Sequence, residues 1–113
     1  MKLLRIGASG AEKPAALVGD DSYVDLSDVV DNFDEAFFGS DGLNRIAPVV
    51  ARRAASGSVL PLAGQRIGSP IGRPHQIVCV GLNYADHAAE SGQAVPDEPI
   101  LFTKSPNTLV GPN

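Results

Sequence analysis

The residues best suited to chemistry in this chain are His87 and Glu90, three apart in the run Ile77-Val-Cys-Val-Gly-Leu-Asn-Tyr-Ala-Asp-His-Ala-Ala-Glu90. On a helix, side chains at i and i+3 share a face. A carboxylate within reach of an imidazole fixes its tautomer and raises its basicity, which makes a general base that works near neutral pH. The same spacing also serves a solvated His and Glu on an exposed short helix, where such a pair contributes little. Spacing alone leaves both uses open.

The elements that must position the pair can be read on either side of it. Ile77 to Val80 is an unbroken apolar run, which predicts a strand buried on both faces. Gly81 lets the backbone turn sharply. Asn83 is a candidate N-cap, with Asp86 at the third helical position, where a carboxylate suits the positive helix end. Gly92 supplies the left-handed residue that closes the helix. Strand, tight turn and short helix would set the pair at the mouth of a buried strand.

The run from Cys79 to Glu90, followed by Glu98-Pro-Ile-Leu-Phe-Thr-Lys104 and Val110-Gly-Pro112, resembles the fumarylacetoacetate hydrolase family. The segments Met1-Lys-Leu-Leu-Arg5, Glu12-Lys-Pro14 and Asp25-Leu-Ser27 resemble the small N-terminal domain of its bacterial members. The G-x-N-Y-x-x-H-x-x-E string carries most of the specificity. The resemblance implies an α+β fold: a small β-meander and helix domain over residues 1–59, a linker over 60–74, and over 75–113 the first strands and lid helix of a β-rich catalytic domain, incomplete at its end.

The resemblance also implies a metal-dependent hydrolase that cleaves a carbon–carbon bond in an acylpyruvate or 2,4-diketo acid. His87 would be the general base and Glu90 its orienting carboxylate. The implied cofactor is Mg²⁺ or Mn²⁺, which family members hold through an E-x-E pair and a later Asp. No E-x-E occurs in this sequence. The ligands are therefore expected beyond residue 113, and Asp86, Asp97 and Glu98 read as helix-start and loop residues instead. Lys104, at a strand end in the same neighbourhood, is either a partner for a substrate carboxylate or a solvated lysine. Within the family, oxaloacetate decarboxylase, isomerase and hydratase are the alternatives to hydrolysis. From another class, the alternative is a non-catalytic α/β binding module. Relatives are usually dimers, so a homodimer is expected.

A net charge of −4 with scattered Lys and Arg excludes the basic stripe of a nucleic-acid surface. No apolar run approaches the roughly 18 residues of a membrane span, and the amino terminus lacks the apolar stretch of a secretory leader. At 113 residues the chain is one domain's worth, and 43% hydrophobic content supports a packed interior. The single cysteine, Cys79, reads as a small buried hydrophobe in a reducing cytoplasm rather than a nucleophile. A cytoplasmic enzyme for a small molecule, with neither nucleic acid nor membrane as partner, is expected.

Taken in order, Lys2 to Ile6, Ala15 to Val18 and Ser22 to Leu26 predict a small antiparallel meander with turns at Gly7–Gly10 and at Gly19-Asp20-Asp21. Ser27 is a candidate cap for a short helix through Val30, and Asp34 for another through Phe38. Phe33, Phe37 and Phe38 should form core against the meander. Apolar residues at 43, 46, 47, 50, 51 and 54 give a helical stripe, which Pro48 should bend or delay. Arg52 and Arg53 complement the carboxyl end of that helix. Leu60 to Pro74 reads as extended chain with a brief strand near Arg66-Ile67. Gly68, Ser69 and Gly72 do not follow a strand into a helix, so they make no phosphate loop. His75 should be a surface or hydrogen-bonded structural residue. Gln93 to Pro99 is a proline-bearing loop suited to a mobile lid, Ile100 to Thr103 a strand, and Ser105–Thr108 and Gly111–Asn113 turns.

Overall fold

A computed structural model describes residues 1–112 and divides the chain into two compact units. One is Met1–Pro74 together with the chain from Leu109, and the other is His75–Thr108. The elements make an α+β fold, as expected.

The first unit is built on the meander. β1 (Lys2–Ile6), β2 (Lys13–Val18) and β3 (Ser22–Asp25) pair antiparallel in chain order, and β4 (Leu60–Pro61) adds a short fourth strand beside β3. The fourth strand was not legible in the sequence, since Pro61 lowers strand propensity and is tolerated only because β4 is an edge. Strand alternation sends Leu3, Ala16 and Val24 to one face and Ile6, Ala15 and Tyr23 to the other. Both faces are covered. The first packs on Leu26, Phe33, Phe37 and Ile46, and the second on Leu4, Leu62 and Ile67.

Chain from 60 to 74 thus supplies part of the core. Backbone N–H groups of Gly7 and Gly68 donate to Arg66 and Arg5 carbonyls at 3.0 and 2.8 Å, around an isolated antiparallel bridge between Ile6 and Ile67. A part-buried ion network fastens the same segment. The Glu12 carboxylate, 8% exposed, accepts from Arg66 at 2.9 Å, from Arg5 at 3.4 Å and from the Gly10 amide at 3.1 Å. Those donors, Arg66 foremost, hold the Glu12 carboxyl below its ordinary range.

α1 (Glu35–Gly39) starts where expected, the Asp34 side chain accepting from the Phe37 amide at 3.0 Å. The helix expected after Ser27 is only a turn: Asp25, not Ser27, supplies the side-chain oxygen, accepting from the Ser27 amide at 2.8 Å. α2 (Gly42–Ala55) corrects a second expectation, for it runs unbroken through Pro48. Proline removes one donor and crowds the preceding turn at a cost of about 3 kcal/mol. Fully burying Ile46 recovers roughly 1.5–3 kcal/mol, and Val49 and Val50 pack partly on the same core. The apolar stripe is therefore narrower than its sequence pattern, with Leu43 exposed. Gly42 is required at the start of α2, because a Cβ there would enter the Phe37 ring. Phe33 and Phe37 are buried as expected, with ring centroids 4.9 Å apart, whereas Phe38 lies 43% exposed against the edge of Phe37. Near the end of α2, Arg53 grips Asp28 through two bonds of 2.9 and 2.6 Å. Asp28 is pulled below its ordinary range and Arg53 pushed above its own.

In the second unit, β5 (Ile77–Gly81) and β6 (Ile100–Lys104) form a two-stranded antiparallel sheet, with α3 (Ala85–Glu90) between them in sequence. The expected double burial of β5 is not found. Val78 is 60% exposed and every residue of β6 is exposed. The apolar run calls for cover on both faces, and among the described residues only one strand pairs with β5. Cys79 is half-buried. After β6, Pro106–Thr108 forms a 3₁₀ turn, with the Thr108 hydroxyl donating to the Ser105 carbonyl at 2.7 Å. The turn expected at Gly111–Asn113 ends outside the described residues.

Candidate functional site

The left turn out of β5 falls one residue later than the sequence suggests. Gly81 stays in the strand, opposite Ile100, and Leu82 takes the left-handed conformation at φ +47°. Such a backbone is uncommon for a branched side chain and is held only where surrounding structure enforces it. Asn83 is not the cap. Tyr84, extended at φ −119° and 72% exposed, precedes the first turn of α3 without a side-chain bond to it. Asp86 accordingly sits at the second helical position. The closing end is as expected: Gly92 is left-handed at φ +63°, its amide donates to Ala89 at 3.1 Å, and the Gln93 amide donates to Ala88 at 2.8 Å. That bond pattern is a Schellman cap.

His87 and Glu90 are both exposed, while Ala88 between them is fully buried. At about 100° per residue, the imidazole and the carboxylate leave the helix about 60° apart and on the side away from Ala88. No hydrogen bond or ion pair joins the two side chains among the described residues. The arrangement is an imidazole and a carboxylate presented to one side of a short helix, without contact between them.

A cavity of about 260 Å³ lies at the base of the same helix, between turn 81–83 and loop 95–99. Its polar lining comes from Asn83, Asp97 and Glu98. The first reads in sequence as a cap and the other two as loop surface, so none signals a cavity. A Gly-Leu-Asn turn leaving a strand, faced by an acidic Pro-rich loop, is the signal that could have found them. His87, Glu90 and Lys104 do not line it. Lys104 pairs with Ile77 in the register, at the end of the sheet opposite Gly81. Four strand steps of about 3.4 Å put it about 14 Å from the turn, so the sheet does not bring Lys104 to this cavity.

Among the described residues, no group of three or more His, Cys, Asp or Glu side chains could hold a metal ion. The residues present do not fit the cation that the sequence resemblance implies. No helix among them is long and apolar enough to cross a membrane.

Residues 76–113 match the family described as fumarylacetoacetate (FAA) hydrolase C-terminal. The match contains the whole of β5, α3 and β6. Over 115 aligned residues the full chain is 43% identical to proteins named "Putative hydrolase" from Burkholderia lata, Burkholderia ambifaria and Burkholderia multivorans. All of this chain aligns, against 39% of each of those relatives. The chain thus spans about two fifths of the length of the curated relatives it matches.

Proposed function

We propose that this chain is part of a cytoplasmic, homodimeric hydrolase that cleaves the carbon–carbon bond of an acylpyruvate or related 2,4-diketo acid, and that His87 and Glu90 are its general-base pair. What supports this is the placement of the family string: α3 carries both groups on one exposed side, beside a cavity of small-molecule size. Glu90 orients the His87 imidazole, and the imidazole takes a proton from water. The water oxygen bonds to the carbonyl carbon remote from the carboxylate. The bond from that carbon to the neighbouring methylene then breaks, its electron pair staying with the methylene carbon, which takes up a proton. A carboxylic acid and pyruvate result, so water is the only co-reactant. Loop 93–99 lies exposed except at Pro96, without regular structure, and can close over the substrate to exclude bulk water. Mg²⁺ or Mn²⁺, when bound, supplies charge stabilisation at the keto-acid end; its ligands are proposed to lie outside residues 1–113.

The test is the cleavage of acylpyruvates by a polypeptide of the relatives' full length that carries this sequence, with Mg²⁺ or Mn²⁺ supplied. His87→Ala should lower kcat by roughly 100- to 10,000-fold while the protein stays folded. Decarboxylation of oxaloacetate without acylpyruvate cleavage would move the activity to another branch of the family. A folded protein with neither activity would leave a binding module.

A further inference from the structure

In the first unit, the face of the meander that carries Ile6, Ala15 and Tyr23 holds a second cavity, of about 180 Å³. Its lining combines apolar Ile6 and Ala15 with four polar residues, Lys13, Tyr23, Asp25 and Gln65. Tyr23 is only 8% exposed, and its hydroxyl, which has no hydrogen-bond partner among the described residues, is not one of the fully buried atoms, so it opens to accessible space. The Lys13 ammonium and the Gln65 side-chain amide likewise have no partner among those residues.

The two charges at this cavity are held apart by the sheet. Asp25 lies opposite Ala15, and Lys13 stands two residues before Ala15 on the same face. Diagonal neighbours of this kind are about 7–8 Å apart, within reach of a lysine side chain. Lys13 and Asp25 nevertheless form no ion pair among the described residues. Asp25 uses one carboxylate oxygen to accept from the Ser27 amide, which fixes the group and leaves the second oxygen for another donor.

We propose that this cavity binds a small zwitterion of α-amino-acid size. Its carboxylate lies on the Lys13 ammonium and the Tyr23 hydroxyl, its ammonium on Asp25, and Gln65 closes the rim. A cavity of about 180 Å³ with a largely polar lining suits a ligand with one short carbon skeleton. This site is independent of His87 and Glu90, so its failure would leave the proposed hydrolase untouched.

Titration of the ¹⁵N-labelled chain with L-serine, followed by amide chemical shifts, tests it. Saturable shifts should centre on residues 6–7, 13–15, 23–25 and 65. Lactate, which has the carboxylate alone, and ethanolamine, which has the ammonium alone, should each bind more weakly than serine. Tyr23→Phe keeps the ring and removes only the hydroxyl, and should weaken serine binding about tenfold. Lys13→Gln, at an exposed position that cannot unfold the sheet, should weaken it at least as much. No saturable shift at millimolar serine, shifts centred elsewhere, unchanged affinity in either variant, or lactate binding as tightly as serine would each overturn the proposal.

Discussion

Glu12 and Arg66 stand 54 residues apart in the chain and 2.9 Å apart in the fold, a carboxylate oxygen accepting from a guanidinium N–H. That bond, with the weaker one from Arg5 at 3.4 Å, secures the 60–74 segment to β1. Its pH dependence has a definite sign. The folded-state pKa of Glu12 lies below the ordinary value of 4.5, so the network's contribution is complete above that value and is lost as pH falls through the folded pKa. Glu12→Gln should destabilise the chain at neutral pH by about 1–2 kcal/mol, because Arg5 loses a charged partner in a poorly solvated place while the Arg66 bond is partly screened by solvent. It should also flatten the loss of stability on acidification. Urea unfolding of both proteins across the acid range measures both effects; a variant with the same acid slope would show that the network is not what titrates.

Pro48 predicts a gain rather than a loss. It is exposed and lies well inside α2, where its missing N–H leaves the Asn44 carbonyl without its helical donor. Pro48→Ala should restore that bond and stabilise the chain by about 1–3 kcal/mol, less the roughly 0.4–1 kcal/mol by which proline restrains the unfolded chain. Thermal unfolding gives the answer directly. A lowered Tm would mean that the pyrrolidine ring makes packing contacts that its exposure does not suggest.

The sheet of β5 and β6 should be the first part of this chain to open. Two strands alone are marginal in water, and Val78, Val80, Ile100, Leu101 and Phe102 are all more than two fifths exposed. Amide hydrogen exchange in residues 77–81 and 100–104 should run well ahead of that in β2, whose Ala15 and Ala16 are at most 1% exposed. Equal protection in the two units would contradict this.

Much of this architecture could be read from local pattern. The strands of the meander, the Asp34 cap and the Gly92 closure each depend on a few neighbouring residues whose backbone preferences are strong. The errors fall where distant chain decides. β4 and the core contributed by Leu62 and Ile67 exist because the second face of the meander needs cover, and no residue near them says so. Pro48 forbids a helix locally and is overruled by the burial of Ile46. Leu82 takes a conformation that Gly81 was better suited to, because Gly81 is held in register opposite Ile100. The His87–Glu90 pair is legible as a spacing, whereas the cavity at turn 81–83 comes from a loop that returns twelve or more residues later. Its polar groups are signalled only by the pairing of a Gly-Leu-Asn turn with an acidic, Pro-rich loop, and neither half alone marks a cavity.

The rate of acylpyruvate cleavage by Glu90→Gln tests the pairing of His87 with Glu90 most directly, measured in the full-length polypeptide with Mg²⁺ or Mn²⁺ beside His87→Ala and the double variant. If Glu90 acts through the imidazole, kcat/KM should fall in Glu90→Gln, and the double variant should lose little more than His87→Ala alone. An unchanged rate in Glu90→Gln would separate the two side chains and contradict the pairing.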